Sequence, residues 1–417
     1  SGMVDTLMLS SVNDQAVGAV GTANTYIGIF IIMFSVISSG MVAVMTQNIG
    51  AGRPGVAYQA RQLGLAFNAV LGVIMSLFLS LGAGTILSGV GVADALMQPA
   101  KTYLQIVGGF CILNALIPIC SSYLRAFGFS KEPLYASIIG NVINFCLNAF
   151  FLFVLHKGVA GVATATVISR IINLVIVVLL GAVLVKAKQH PERESNRAVM
   201  GQIIRIGLPS ACETAIYNVS MTLVIRFLNQ MDAQGLNVTA RSYTMQITNF
   251  SYCVGAALAQ ANAIMTGWHI GAKEYDACDR GTRKAAIIGV IVAVILETMF
   301  ALCSGWIMQL FSKDPQMVSL VGKLLAIDIV LEMGRVTNLV YGQALKTSGD
   351  AVFPVVMGAC FMILCSVGGT YLFGIRLGLL AVGAYIGMAG DECVRAVGMY
   401  LRWKSGKWKE KGLVKSR

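Results

Sequence analysis

Long apolar stretches separated by short polar clusters dominate this chain. No Asp, Glu, Lys or Arg occurs between Asp14 and Arg53, between Arg61 and Asp94, between Lys101 and Arg125, or between Glu132 and Lys157. About 20 apolar residues in a helix cross a bilayer, so each window is long enough to span. Read against the turn signals, the windows predict a helical remnant at 1–10, then helices at 19–47, 60–85, 98–122, 132–155 and 158–185. The polar run KAKQHPERESNR follows, and a second set is predicted at 201–229, 237–267, 284–310, 317–345, 351–374 and 378–402. The opening SGMVDTLMLS is too short to span, and part of a first helix is expected to be missing.

Composition narrows the class. With 56% hydrophobic and only 12% charged residues, against roughly 25% charged in soluble domains, a water-soluble globule is excluded. The net charge of +12 does not mark a nucleic-acid binder, because the bases sit at the ends of the apolar windows. Arg53, Arg61, Arg125, Lys131, the run from Lys186 to Arg205, that from Lys273 to Lys284, Lys346 and the tail from Arg402 fall in alternate loops. The opposite loops hold little beyond Lys101, Lys157, Lys313 and Arg376. The positive-inside rule then places the central loop and the C-terminus in the cytoplasm, with membrane lipid rather than nucleic acid as the partner.

The halves also resemble each other: QNIGAGRPGVAYQ parallels WHIGAKEYDACDR, and YLRAFGFSKEPLY parallels YGQALKTSGDAVF. Six helices per half is an even number, so both halves enter the membrane from one face and a pseudo-twofold axis along the membrane normal relates them. The expected fold is an all-α integral membrane protein of about twelve transmembrane helices in two six-helix lobes. The expected divisions are an N-terminal lobe at 1–185, a linker at 186–200, a C-terminal lobe at 201–402 and a basic cytoplasmic tail at 403–417. The ten cysteines are scattered singly without a CxxC pair, and His156, His190 and His269 lie far apart, so neither a disulfide framework nor a histidine metal site is expected. The chain has no HExxH, GxSxG or phosphate loop, and an enzyme is a poor fit.

With these motifs in view, the chain resembles the multidrug and toxic compound extrusion (MATE) family, in its bacterial NorM and DinF branches. The resemblance runs the whole length and is carried by VDTLM at 4–8, QNIGAG at 47–52, NVINFCLNAFFLF at 141–153, GVAGVATATVIS at 158–169, GLPSACE at 207–213 and LEMGRVTNLVYGQALKTSGD at 331–350. It implies a V-shaped monomer in the bacterial cytoplasmic membrane. It further implies antiport of H+ or Na+ against small amphipathic or cationic organic compounds, with no cofactor. A lipid-linked saccharide flippase shares the architecture and is the alternative. Such proteins commonly have a cationic cavity, whereas here the intramembrane acids largely balance the bases.

Candidate chemistry rests on charges lodged in apolar helices, which cost roughly 2.5–3.5 kcal/mol each at mid-bilayer and so tend to face the bundle interior. In the first half that charge is Asp5, open to two roles: a proton carrier or one ligand of a hard cation. Asn141, Asn144, Asn148 and Thr166 offer oxygens that would complete its site, or else hydrogen bonds between packed helices. Family members often carry Asp where Asn148 stands. The second half holds Glu213, Arg226, Glu297, Asp328, Glu332, Arg335, Asp391, Glu392 and Arg395. Asp328, Glu332 and Arg335 share one helix face, and the spacing of Glu332 with Arg335, and of Asp391 or Glu392 with Arg395, suits ion pairs. Glu213 matches a glutamate that the family uses for cation coupling. NorM-type members carry Asp where Arg335 aligns, so their sodium site does not transfer directly. The sodium positions this leaves open are Asp5 and Glu213, and Arg170, midway along the sixth helix, faces either the cavity or an acid of the other half.

Overall fold

The computed structural model describes residues 8–9, 14–89, 94–186, 191–232, 235–309, 312 and 314–414. Among them there is no strand, and the helices gather into two compact units. One comprises Ser1–Met45 and Arg53–Gly207, the other Thr46–Gly52 and Leu208–Arg417.

The first unit holds α1 (Asp14–Gly50, whose last turn belongs to the second unit), α2 (Pro54–Gly89), α3 (Asp94–Tyr103), α4 (Ile112–Ala126), α5 (Lys131–Ala149) and α6 (Gly158–Leu184). Helix α2 shows how a membrane sequence orders a helix. Gly64, Asn68, Gly72, Ser76, Leu79, Ala83 and Leu87 recur every three or four residues and are buried. Phe67, Val70, Ile74, Leu77, Phe78 and Leu81 are exposed on the opposite side. Small and polar residues inward with large apolar ones outward is the pattern of a helix packed in lipid, where close backbone approach replaces the hydrophobic effect. A side-chain carbon at Gly72 would lie 2.9 Å from the Ile112 Cα.

The single helix predicted at 98–122 is instead two. A π-helical turn, Leu104–Gly108, ends the first piece, and the halves are bent by 42°. Ser76 Oγ accepts the Ile112 backbone amide at 3.0 Å, satisfying a donor that the break would leave bare in oil. Some helices overrun their predicted ends, as Asp14–Gly50 and Asn196–Met231 do, while Gly158–Leu184 matches its prediction and the stretches predicted at 132–155 and 351–374 pass from α-helix into π-helical turns after Ala149 and Phe361. Of the predicted remnant at 1–10, only residues 8 and 9 are described, and both are helical.

The second unit holds α7 (Asn196–Met231, beginning in the first), α8 (Leu236–Gly271), α9 (Tyr275–Leu302), the short α10 (Ser304–Met308), α11 (Pro315–Thr347), α12 (Val352–Phe361) and α13 (Leu380–Lys404). Six spans among the described residues are long and apolar enough to cross a membrane, and the bent α3–α4 pair makes a seventh. Helices α7, α8, α11 and α13 are also long but carry the intramembrane charges. They complete an all-α membrane protein of about twelve crossings, and they build the site.

The end of α13 does not trail away. Trp408 stacks on Trp403 with centroids 4.1 Å apart, and Leu413 donates its amide to Gln47 Oε1 at 2.7 Å. Gln47 Nε2 in turn donates to the Thr347 carbonyl at 2.6 Å. Asp350 accepts from Arg402 at 2.7 Å and from Lys411 at 3.0 Å. Burial pushes the Asp350 carboxyl up, but the hydrogen bonds from Arg402 and Lys411 outweigh it and hold the group below its usual range. A depressed carboxylate stabilises the fold above its unfolded-state pKa of about 3.9 and loses that contribution as pH falls through the folded value. Asp350→Asn is therefore expected to lower stability by about 1.5–3 kcal/mol at neutral pH. Thermal melts of the two purified proteins should converge as the pH drops below about 4, and a gap that persists there would contradict the assignment.

Candidate functional site

A close helix crossing sets the geometry. Gly334 in α11 lies against α13, and a side-chain carbon there would sit 2.8 Å from the Cys393 amide nitrogen. The bare backbone lets Arg335 on α11 meet Glu392 on α13. Arg335 pairs with Glu332 one turn before it, and its Nε lies 3.5 Å from Glu392 Oε1. Arg395 continues the chain: Nη2 is 2.9 Å from Glu392 Oε1, and Nε is 2.8 Å from Asp391 Oδ1. Asn338 donates to Glu392 Oε2 at 3.0 Å, and Ser366 donates to Asp391 Oδ2 at 2.9 Å. Ser366 stands in a π-helical segment, Met362–Val367, whose widened turns are frequent at functional sites. Glu332, Asp391, Glu392 and Arg395 are each at most 6% exposed. The ion pairs that the spacing predicts are thus formed, and they join into one network across two helices.

Two cavities of about 250 Å3 each flank this network and share Tyr217, Tyr252 and Arg335 as a common wall. Glu213 lines one, with Lys346 Nζ 2.5 Å from its Oε2. The sequence gives Glu213 no basic neighbour one turn away, and the partner comes instead from the last turn of α11. Asp328 lines the other cavity, is 2% exposed, and makes no ion pair among the described residues. Its Oδ2 has no hydrogen-bond partner. Glu297 on α9 is fully buried within electrostatic reach of Asp328 and Glu332, and neither of its oxygens is satisfied by good geometry.

Sequence reasoning overlooked Arg241 and misread Lys346. Arg241 lies in the first turns of α8, is 6% exposed and lines the Asp328 cavity. Its signal is a lone base just inside an apolar window. Lys346 was counted only as a loop charge. Arg226, by contrast, is exposed and outside the network.

In the first unit, Asp5 lies outside the described residues. Asn144, Asn148 and Thr166 are all buried. Asn148 Nδ2 donates to Asn144 Oδ1 at 3.5 Å, and Thr166 Oγ1 donates to the Val162 carbonyl at 2.9 Å. Asn141 does not join them inside, since its position on α5 is exposed. Arg170 is half-buried, without an ion pair among the described residues.

With this geometry in hand, comparison with known proteins is informative. The MatE family model matches residues 1–150 and 209–372. The uncharacterized transporter YisQ of Bacillus subtilis is 33% identical over 99% of this chain and 92% of its own length. The probable multidrug resistance protein NorM of Thermotoga maritima is 22% identical, covering 99% of this chain and 90% of that protein. A crystal structure of MATE in the bent conformation superposes with a TM-score of 0.89 at 18% identity, over 98% of this chain and 92% of that one.

Proposed function

The chain belongs to the MatE family of multi-pass membrane transporters, and from that premise we propose that it is a cation-coupled antiporter of amphipathic organic compounds with Asp328 as its coupling group. It works in the bacterial cytoplasmic membrane with its C-terminus inside, and the coupling cation is H+ or Na+. The observation that carries this reading is the contrast among the buried acids. Glu332, Glu392 and Asp391 are held by arginines and Glu213 by Lys346, while Asp328 faces a cavity and makes no ion pair among the described residues, with Arg335 only within electrostatic reach. A carboxylate in a low-dielectric interior without a direct ion pair favours a bound proton or a metal cation. Of the two buried acids without an ion pair among the described residues, Asp328 and Glu297, Asp328 lines a cavity through which such a cation can be exchanged.

Binding the cation neutralises Asp328, and an organic ligand entering the same cavity competes with it. That competition is the thermodynamic requirement for exchange, because each ligand must bias the two access states oppositely. The paired network fixes α11 against α13 and holds Asp328 in place. Proteoliposomes given an imposed proton or sodium gradient test the reading. One of the two gradients is expected to drive accumulation of fluorescent amphipathic compounds, drawn from a cationic, zwitterionic and anionic panel. If neither gradient moves any of them above the protein-free level, the antiport reading fails.

A further inference from the structure

We propose that the cavity between Arg241 and Asp328 is a receptor for zwitterionic organic compounds, binding a carboxylate at Arg241 and an ammonium at Asp328. The inference rests on the antiport reading and names the substrate class of the same site.

Arg241 is the anomaly. Arg335 and Arg395 each hold two carboxylates, yet Arg241, 6% exposed and more buried than Arg335, holds none among the described residues. Its Nη2 reaches only the Met221 sulfur at 3.8 Å, and its Nε has no hydrogen-bond partner. Desolvating a guanidinium costs several kcal/mol unless an anion accompanies it. Its planar fork is shaped for a carboxylate taken bidentately. A ligand can supply that anion, since Arg241 lines an open cavity of about 250 Å3.

The other end of the ligand is set by Asp328. It lines the same cavity, and the buried Tyr385 is within electrostatic reach of both charges. A purely anionic ligand would be repelled by an ionised Asp328, and would bind better once the coupling cation was in place. That is cooperation, which yields co-transport rather than exchange. A ligand with an ammonium at Asp328 displaces the cation and couples correctly for antiport. Met221, Met245 and Tyr252 provide soft and flat apolar walls, so the body between the charges is apolar and preferably aromatic.

The test is equilibrium binding to the purified full-length protein without any gradient. The probes are 4-(aminomethyl)benzoic acid and its longer biphenyl homologue, each beside the carboxamide that lacks the anion and the methyl analogue that lacks the ammonium. The parent is expected to favour at least one zwitterion by about tenfold or more over both analogues. Arg241→Gln should erase the preference over the carboxamide, with a thermal melt of the same sample reporting the fold. Arg241→Lys should retain part of that preference, and Asp328→Asn should erase the preference over the methyl analogue. Parity of the analogues in the parent, failure of the parent to bind either zwitterion, or an unchanged preference in Arg241→Gln overturns the proposal. Gradient-driven export that survives such an outcome leaves the antiport reading standing, whereas zwitterion preference without driven export removes the antiport reading alone.

Discussion

Replacing Arg395 by Met is expected to destabilise the second unit by about 3–5 kcal/mol, the cost of stranding a buried charge after its partner is removed. Arg395 is 3% exposed and serves Asp391 through two bonds and Glu392 through one. Its loss leaves Asp391 with only the Ser366 hydroxyl. Glu392 keeps Asn338 and the longer contact to Arg335, so Asp391 carries most of the penalty. Thermal unfolding of the purified variant measures the effect. Arg395→Lys should recover little of it, because a single ammonium cannot present the fork that reaches both carboxylates. The double variant Arg395→Met with Asp391→Met should recover most of it, since removing both members of a buried pair is far less damaging than removing one. If Arg395→Met alone melts like the parent, the network is not a structural tie and the contrast with Asp328 disappears.

The second large effect is on transport, with stability spared. Asp328→Asn keeps the shape of the side chain and removes a buried carboxylate that makes no ion pair among the described residues and whose Oδ2 has no hydrogen-bond partner, so the folded protein should be no less stable than the parent. Gradient-driven transport in proteoliposomes should nonetheless fall to the protein-free level, because nothing in that cavity then exchanges the cation. The opposite pattern is expected for Lys346→Met, in which Glu213 loses its partner: weakened stability comes first, with transport reduced in proportion to the folded protein. Comparing driven transport per folded molecule in the two variants separates a coupling group from a packed ion pair.

Much of the fold was legible because lipid imposes simple demands. An uncharged run such as Arg61 to Asp94 has no alternative to a spanning helix, and α2 duly fills it, overrunning into the flanking layer from Pro54 to Gly89. The break between α3 and α4 was not legible, since it depends on Ser76 of another helix reaching the freed Ile112 amide. Pairing within one helix could be read from spacing, as for Glu332 with Arg335 and Asp391 with Arg395. Pairing between helices could not: that Glu392 meets Arg335 follows from Gly334 admitting α13, and that Glu213 meets Lys346 follows from where α11 ends. Arg241 was overlooked for the same reason. Its position in the sequence resembles an ordinary helix-end base, and only burial without a carboxylate sets it apart.

The central claim is that Asp328 itself takes up the coupling cation, and infrared difference spectroscopy tests it most directly. On a step in proton or sodium concentration, the parent in lipid should show a change in the stretching band of a buried carboxyl, and Asp328→Asn should lack that change. A difference band of the same size and position in both proteins would contradict the account.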